Sequence, residues 1–104
     1  MLIATTDSIT ERKTVQTFGM VRGATVRSKH IGTDIVASLR NLVGGEQTGY
    51  SSLLAGAREQ ALDRMVAEAT QLGANAVVGF RMETSSIMDG ASEIVAYGTA
   101  VRVE

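Results

Sequence analysis

The chain has no cysteine, no proline and no tryptophan, and its one histidine is His30. Without cysteine there is no disulfide framework, no thiolate zinc site, no iron–sulfur cluster and no thiol nucleophile. A single histidine does not supply a two-histidine metal motif within one chain. Aromatic residues make up 4% of the 104 positions, so the core has to be built from aliphatic side chains. Ten basic residues face eleven acidic ones, a formal charge of −1. That balance leaves no basic footprint for nucleic acid. No apolar run approaches the ~18 residues of a membrane-spanning helix. Met1 to Asp7 lacks the basic and long apolar stretches of a secretory leader, so cytoplasmic residence is expected.

What remains is enough for one folded unit. Hydrophobic residues are 44% and charged residues 20%, the proportions of an ordinary globular domain. No linker, charge block or repeat divides residues 1–104. A domain of this size buries roughly two-thirds of its unfolded surface. Its stability is therefore modest, and association would raise it.

The first quarter reads as strand. Thr14 to Val26 is rich in β-branched residues, and Phe18, Met20, Ala24 and Val26 share one parity, interrupted by Arg22. Gly19 and Gly23 mark a bulge or a close approach of another backbone. Leu2 to Thr5 is a short separate strand. In the middle, Ile31, Ile35, Leu39 and Leu42 form an amphipathic helical stripe. Thr33 or Asp34 caps it, and Gly44-Gly45 ends it. A second helix runs from about Gly49 to Leu72, roughly 35 Å, and Gly73 stops it. Its apolar stripe is Leu54, Ala61, Leu62, Met65, Ala69 and Leu72. The last third is a hairpin. Ala76, Val78, Phe80, Met82 and Thr84 share one face, Asp89-Gly90 turns the chain, and Val95 to Val103 returns. Both faces of that returning strand are apolar. The second face either packs on another subunit or is simply tolerant.

Few residues suggest chemistry. At ~100° per residue, Arg58 falls near the centre of the second helix's stripe. It has to pair with a carboxylate or with backbone carbonyls, meet a ligand anion, or reach solvent. His30 and Asp34, four apart, are weak metal candidates that need help from a neighbouring chain, or they form a capping arrangement. Glu59 and Asp63 share the polar face, where solvation is the plain reading. Ser51, Ser52, Ser85 and Ser86 sit in no nucleophile elbow. The Val43–Gly49 loop lacks the spacing and lysine of a phosphate loop. No catalytic residues emerge, and an enzyme is not expected.

Several motifs are familiar in combination. Leu39-Arg40-Asn41-Leu42-Val43-Gly44-Gly45, Tyr50, Ala57-Arg58, Ala61, Met65, Ala69 and Leu72-Gly73-Ala74-Asn75-Ala76-Val77-Val78-Gly79 resemble the YbjQ-like family, whose description is heavy-metal binding. Gly19 to Gly23 and Tyr97 to Val101 fit the same pattern. The resemblance covers nearly the whole chain. It implies an α+β, β-α-β-β subunit like that of dodecin, with a three-stranded antiparallel sheet packed on helices. It also implies a ring-shaped homopentamer whose short extra strands join neighbours, and it brings no enzyme activity. Arg58 and Tyr50 are then structural or anion-contacting candidates. The expected partner is the chain itself, with neither nucleic acid nor membrane. The cofactor in view is a divalent metal ion, held by His30, by carboxylates or by groups repeated around the ring axis. The leading function is a binding module with its site at a subunit interface or the axis. The alternative is a structural or protein-interaction ring with no ligand.

Overall fold

Among the described residues, small and β-branched side chains form a sheet with a long helix laid along it. The structure, a computed structural model, describes residues 1–28 and 48–104, with side chains in the helix from Ser52 onward. The elements are β1 (Leu2–Ile3), β2 (Thr14–Ser28), α1 (Thr48–Leu72), β3 (Ala76–Met88) and β4 (Ala91–Val103). The expected helix over Ile31–Leu42 and the Gly44-Gly45 stop lie outside the described residues.

The sheet order is β1-β3-β4-β2. β2 and β3 flank β4 in antiparallel fashion, and β1 joins β3 in parallel. The sheet is therefore four-stranded and mixed, which corrects the three-stranded antiparallel expectation. Leu2–Ile3 supplies the difference. The Leu2 N–H donates to Asn75 O at 3.2 Å and the Ala4 N–H to Val77 O at 2.9 Å. Because β1 and β2 lie at opposite edges, the segment between them must cross the sheet. It carries Ile9 onto Ala76, Val78, Val101 and Val103, a second small core on the face away from α1.

The main core lies between α1 and the sheet. Its helical part is the row Ala57, Ala61, Met65 and Ala69, all fully buried. A spacing of four overshoots the 3.6-residue turn, so the row winds slowly around the helix as an inclined ridge. This corrects the straight stripe: Leu72 is 45% exposed. Alanines bring the helix backbone close to β2, where Gly23 leaves room for it. A β-carbon at Gly23 would lie 2.5 Å from Met65 N and against the Ala61 carbonyl. Buried Thr25 donates from Oγ1 to Ala57 O at 3.0 Å, and Arg64 Nη1 donates to Ala24 O at 2.6 Å. The helix stops as expected. The Gly73 N–H donates to Thr70 O at 3.0 Å and the Ala74 N–H to Ala69 O at 3.1 Å, the paired bonds of a Schellman motif.

Bulges account for the misread parities. The register shifts between Thr17 and Gly19 on β2, and between Val78 and Arg81 on β3. Gly19 (φ 108°) and Gly79 (φ 62°) occupy these bulges, in backbone conformations that favour glycine. Each extra residue swaps the faces beyond it. Phe18 therefore shares the α1 side with Val21, while Met20, Ala24 and Val26 point away. Likewise Val77 is followed on the α1 side by Phe80 and Met82, not by Gly79 and Arg81. Along β4 the alternation holds: Ile94, Ala96 and Ala100 face α1, and Val101 and Val103 face Ile9.

Candidate functional site

Among the described residues, the face of the sheet away from α1 is covered at one end by Ile9 and left open at the other. On the open part, Arg22 of β2, Tyr97 of β4 and Arg81 of β3 are direct cross-strand partners. Such partners share a face with β-carbons about 5 Å apart. The Tyr97 hydroxyl donates to Glu83 Oε1 at 3.2 Å. That bond, with some loss of solvent and the nearby Glu83 charge, raises the phenol pKa above its ordinary 10.0, and Arg81 partly opposes the shift. Arg81 turns toward the crossing segment, where Nη1 donates to Thr5 O at 3.0 Å and to Phe80 O at 2.7 Å. Around this polar row, exposed apolar side chains alternate with polar ones such as Glu83 and Glu93. Met20 is 64% and Val26 55% exposed, and Ala24 is also exposed.

The residues singled out from sequence do not gather at this place. Arg58 is exposed. It neighbours the buried row but is not at its centre, because Ala57, one residue earlier, takes the buried position. This corrects the expected placement of Arg58. Tyr50 lies in the first turn of α1, and its side chain lies outside the described residues, as do His30 and Asp34. Glu59, Asp63 and Glu68 are exposed on α1. Ser52 is exposed on α1, and Ser85 and Ser86 are exposed on β3; the side chain of Ser51 is not described. Sequence reasoning missed the Arg22–Tyr97–Arg81 row. Its one visible signal was Arg22 breaking an otherwise apolar parity.

The donor chemistry tests the metal expectation. Soft thiolate ligands are missing from the chain altogether. Among the described residues no three histidine, aspartate or glutamate side chains come together to hold a metal ion. The described part of one chain therefore does not fit a heavy-metal site by itself. Among the described residues no helix is long and apolar enough to cross a membrane.

Comparison with known proteins agrees with the sequence motifs. A family model described as "Putative heavy-metal-binding" matches residues 1–104. A UPF0145 protein of Methanosarcina acetivorans is 53% identical over 103 residues, 99% of this chain and 97% of that one. A UPF0145 protein of Clostridioides difficile is 53% identical over 104 residues, covering 100% of this chain and 93% of that one. Among solved structures, a DUF74-family protein of unknown function from Pediococcus pentosaceus superposes with a TM-score of 0.67. It is 12% identical and covers 100% of this chain and 98% of its own, a likeness of fold. With the whole chain matched and half of its residues shared with full-length relatives, the protein belongs to the YbjQ family of UPF0145 proteins.

Proposed function

We propose that this protein is a self-assembling binding module, a ring of identical chains in the manner of the dodecin subunit, most simply a homopentamer. In this reading its ligand site is completed between subunits or at the ring axis. The observation that supports it best is the open part of the sheet. Large apolar side chains stand in water there at Met20 and Val26, in a chain whose own core is modest. Large apolar side chains left in water on a sheet face are the kind of surface that association covers. The family description favours a metal ion as ligand. The donors would then come from several chains, since one residue per chain becomes a ring of equivalent groups in the assembly. Binding, not catalysis, is the activity proposed, and the cytoplasm is the proposed location.

A second reading is a structural or protein-interaction ring that carries no ligand. The want of thiolates and the single histidine favour it. Light scattering separates assembly from its absence: several times the 11.0 kDa chain mass is expected, and a monomer at micromolar concentration overturns both readings. Metal analysis of tag-free protein, with melting measured across a panel of divalent ions, separates the two. Bound metal in fixed ratio to chain, with a raised melting temperature, supports the binding module. No metal and no shift leaves the structural ring.

A further inference from the structure

The outer edge of β2 is occupied in part by the chain's own arginines. β2 stands last in the sheet, with β4 along its inner edge and, among the described residues, no strand along its outer one. An edge of this kind offers a row of outward N–H and C=O groups to any extended segment that meets it. In an antiparallel pair these groups point toward the partner at one residue and away from it at the next. Ala24 and Val26 share one parity, and both of their carbonyls accept from guanidinium groups. Arg64 Nη1 reaches across from α1 and donates to Ala24 O at 2.6 Å. Arg27 Nη1 donates to Val26 O at 3.2 Å, while its Nη2 donates to Gln60 Oε1 of α1.

The packing beneath fixes these contacts. Gln60 and Arg64 stand one turn apart on the flank of α1 that overhangs β2. Thr25, between the two capped carbonyls, is buried and bonded to Ala57 O of the same helix. Gly23 lets the helix backbone come close, so an arginine is long enough to span the rest. An added strand draws on consecutive outward groups, and two capped in succession interrupt its ladder. A hydrogen bond from a guanidinium is stronger than one from a neutral amide, so an incoming strand does not displace it readily. The opposite edge of the sheet is treated differently, since β1 fills the start of β3 with a strand.

We propose that Arg27 and Arg64 are a guard that closes the outer edge of β2, over Ala24 to Val26, to strand addition by a second copy of the chain. The guard does not rest on the self-assembly reading. It acts on a lone chain and on an assembled one alike, by denying one route of further growth.

Removing the guard tests it. Arg27→Met and Arg64→Met are made singly and together, because methionine keeps an apolar stem without the donors. Val26→Pro is then added to the double variant. It deletes one outward N–H and spares the ladder to β4, and Val26→Pro alone is its reference. Sedimentation velocity is run over a concentration series, with circular dichroism and melting to show that each variant folds. The folded double variant is expected to form species larger than those of the wild type, in a share that grows with concentration. Val26→Pro is expected to return it to the distribution of its reference. Arg64→Lys, which retains a donor, is expected to sediment as the wild type does. A folded double variant with the wild-type distribution overturns the guard. Larger species that survive Val26→Pro overturn it too, since they form away from this edge. If the double variant does not fold, Arg27→Met with and without Val26→Pro decides by the same two criteria.

Discussion

Gly23 of β2 lies so near the Ala61 carbonyl of α1 that no side chain fits between them. Gly23→Ala forces its methyl into the Ala61 carbonyl and the Met65 amide, which are helix backbone and cannot swing aside. Overpacking of this kind costs about 3 kcal/mol. Urea denaturation should show that loss with an unchanged slope. A variant as stable as the wild type would mean that α1 sits farther from the sheet.

Asn75 ends the helix-to-strand connection by imitating a strand. Its Nδ2 donates to Val103 O, and its Oδ1 accepts from the Val103 N–H, both at 2.8 Å. Its own N–H donates to Val101 O at 3.1 Å. Asn75→Ala keeps the last bond and leaves both groups of Val103 without the amide. A destabilisation of about 2 kcal/mol is expected, read as a lower urea midpoint. Amide exchange at Val103 should quicken more than the global loss explains.

Tyr97 gives a pH signature. Its pKa is raised in the folded chain, so the neutral phenol is favoured by the fold. The associated stability is fully present below the ordinary pKa of 10.0 and is lost as pH rises through the raised value. Phenolate absorbance in a Tyr50→Phe background isolates Tyr97, since the chain has two tyrosines. Glu83→Gln removes the charged acceptor and should bring the midpoint down toward 10.0. An identical midpoint in both proteins would show that the Tyr97–Glu83 bond does not persist in solution.

The open face allows folding and association to be pulled apart. Met20→Ser and Val26→Thr remove apolar surface that the described chain leaves in water. Exposed substitutions of this kind move stability within about 0.5 kcal/mol. If association covers the face, the same changes should weaken it by about ten-fold or more while a dilute sample melts as before. Unchanged association would place the interface elsewhere.

Much of the architecture was legible because its signals are local. Gly73 after a long apolar period stops α1, Asp89-Gly90 turns the hairpin, and the alternation of β4 survives intact. The errors have one physical origin each. A bulge inserts a residue, so Gly19 and Gly79 inverted the faces read from simple parity, and Met20 and Val26, read on one face with Phe18, lie on the opposite one. A helical wheel averages over a whole helix, so the winding row of Ala57, Ala61, Met65 and Ala69 was flattened and Arg58 appeared central. The Arg22–Tyr97–Arg81 row was not legible, because its three members meet through strand register, which no local pattern encodes. The heavy-metal expectation came from resemblance alone, and the described side chains of one chain do not assemble a donor set for it.

β4 is laddered to β2 along one edge and to β3 along the other. Opening its amides to solvent requires two ladders to part at once, whereas the outer rim of β2 can breathe without disturbing the rest. Native-state hydrogen exchange should therefore find the slowest amides at Ala96, Ala100 and their neighbours, releasing only with the whole chain. The strand acts as a keel. Whatever happens at the surfaces to either side, the spacing between them is held by the part of the molecule that yields last.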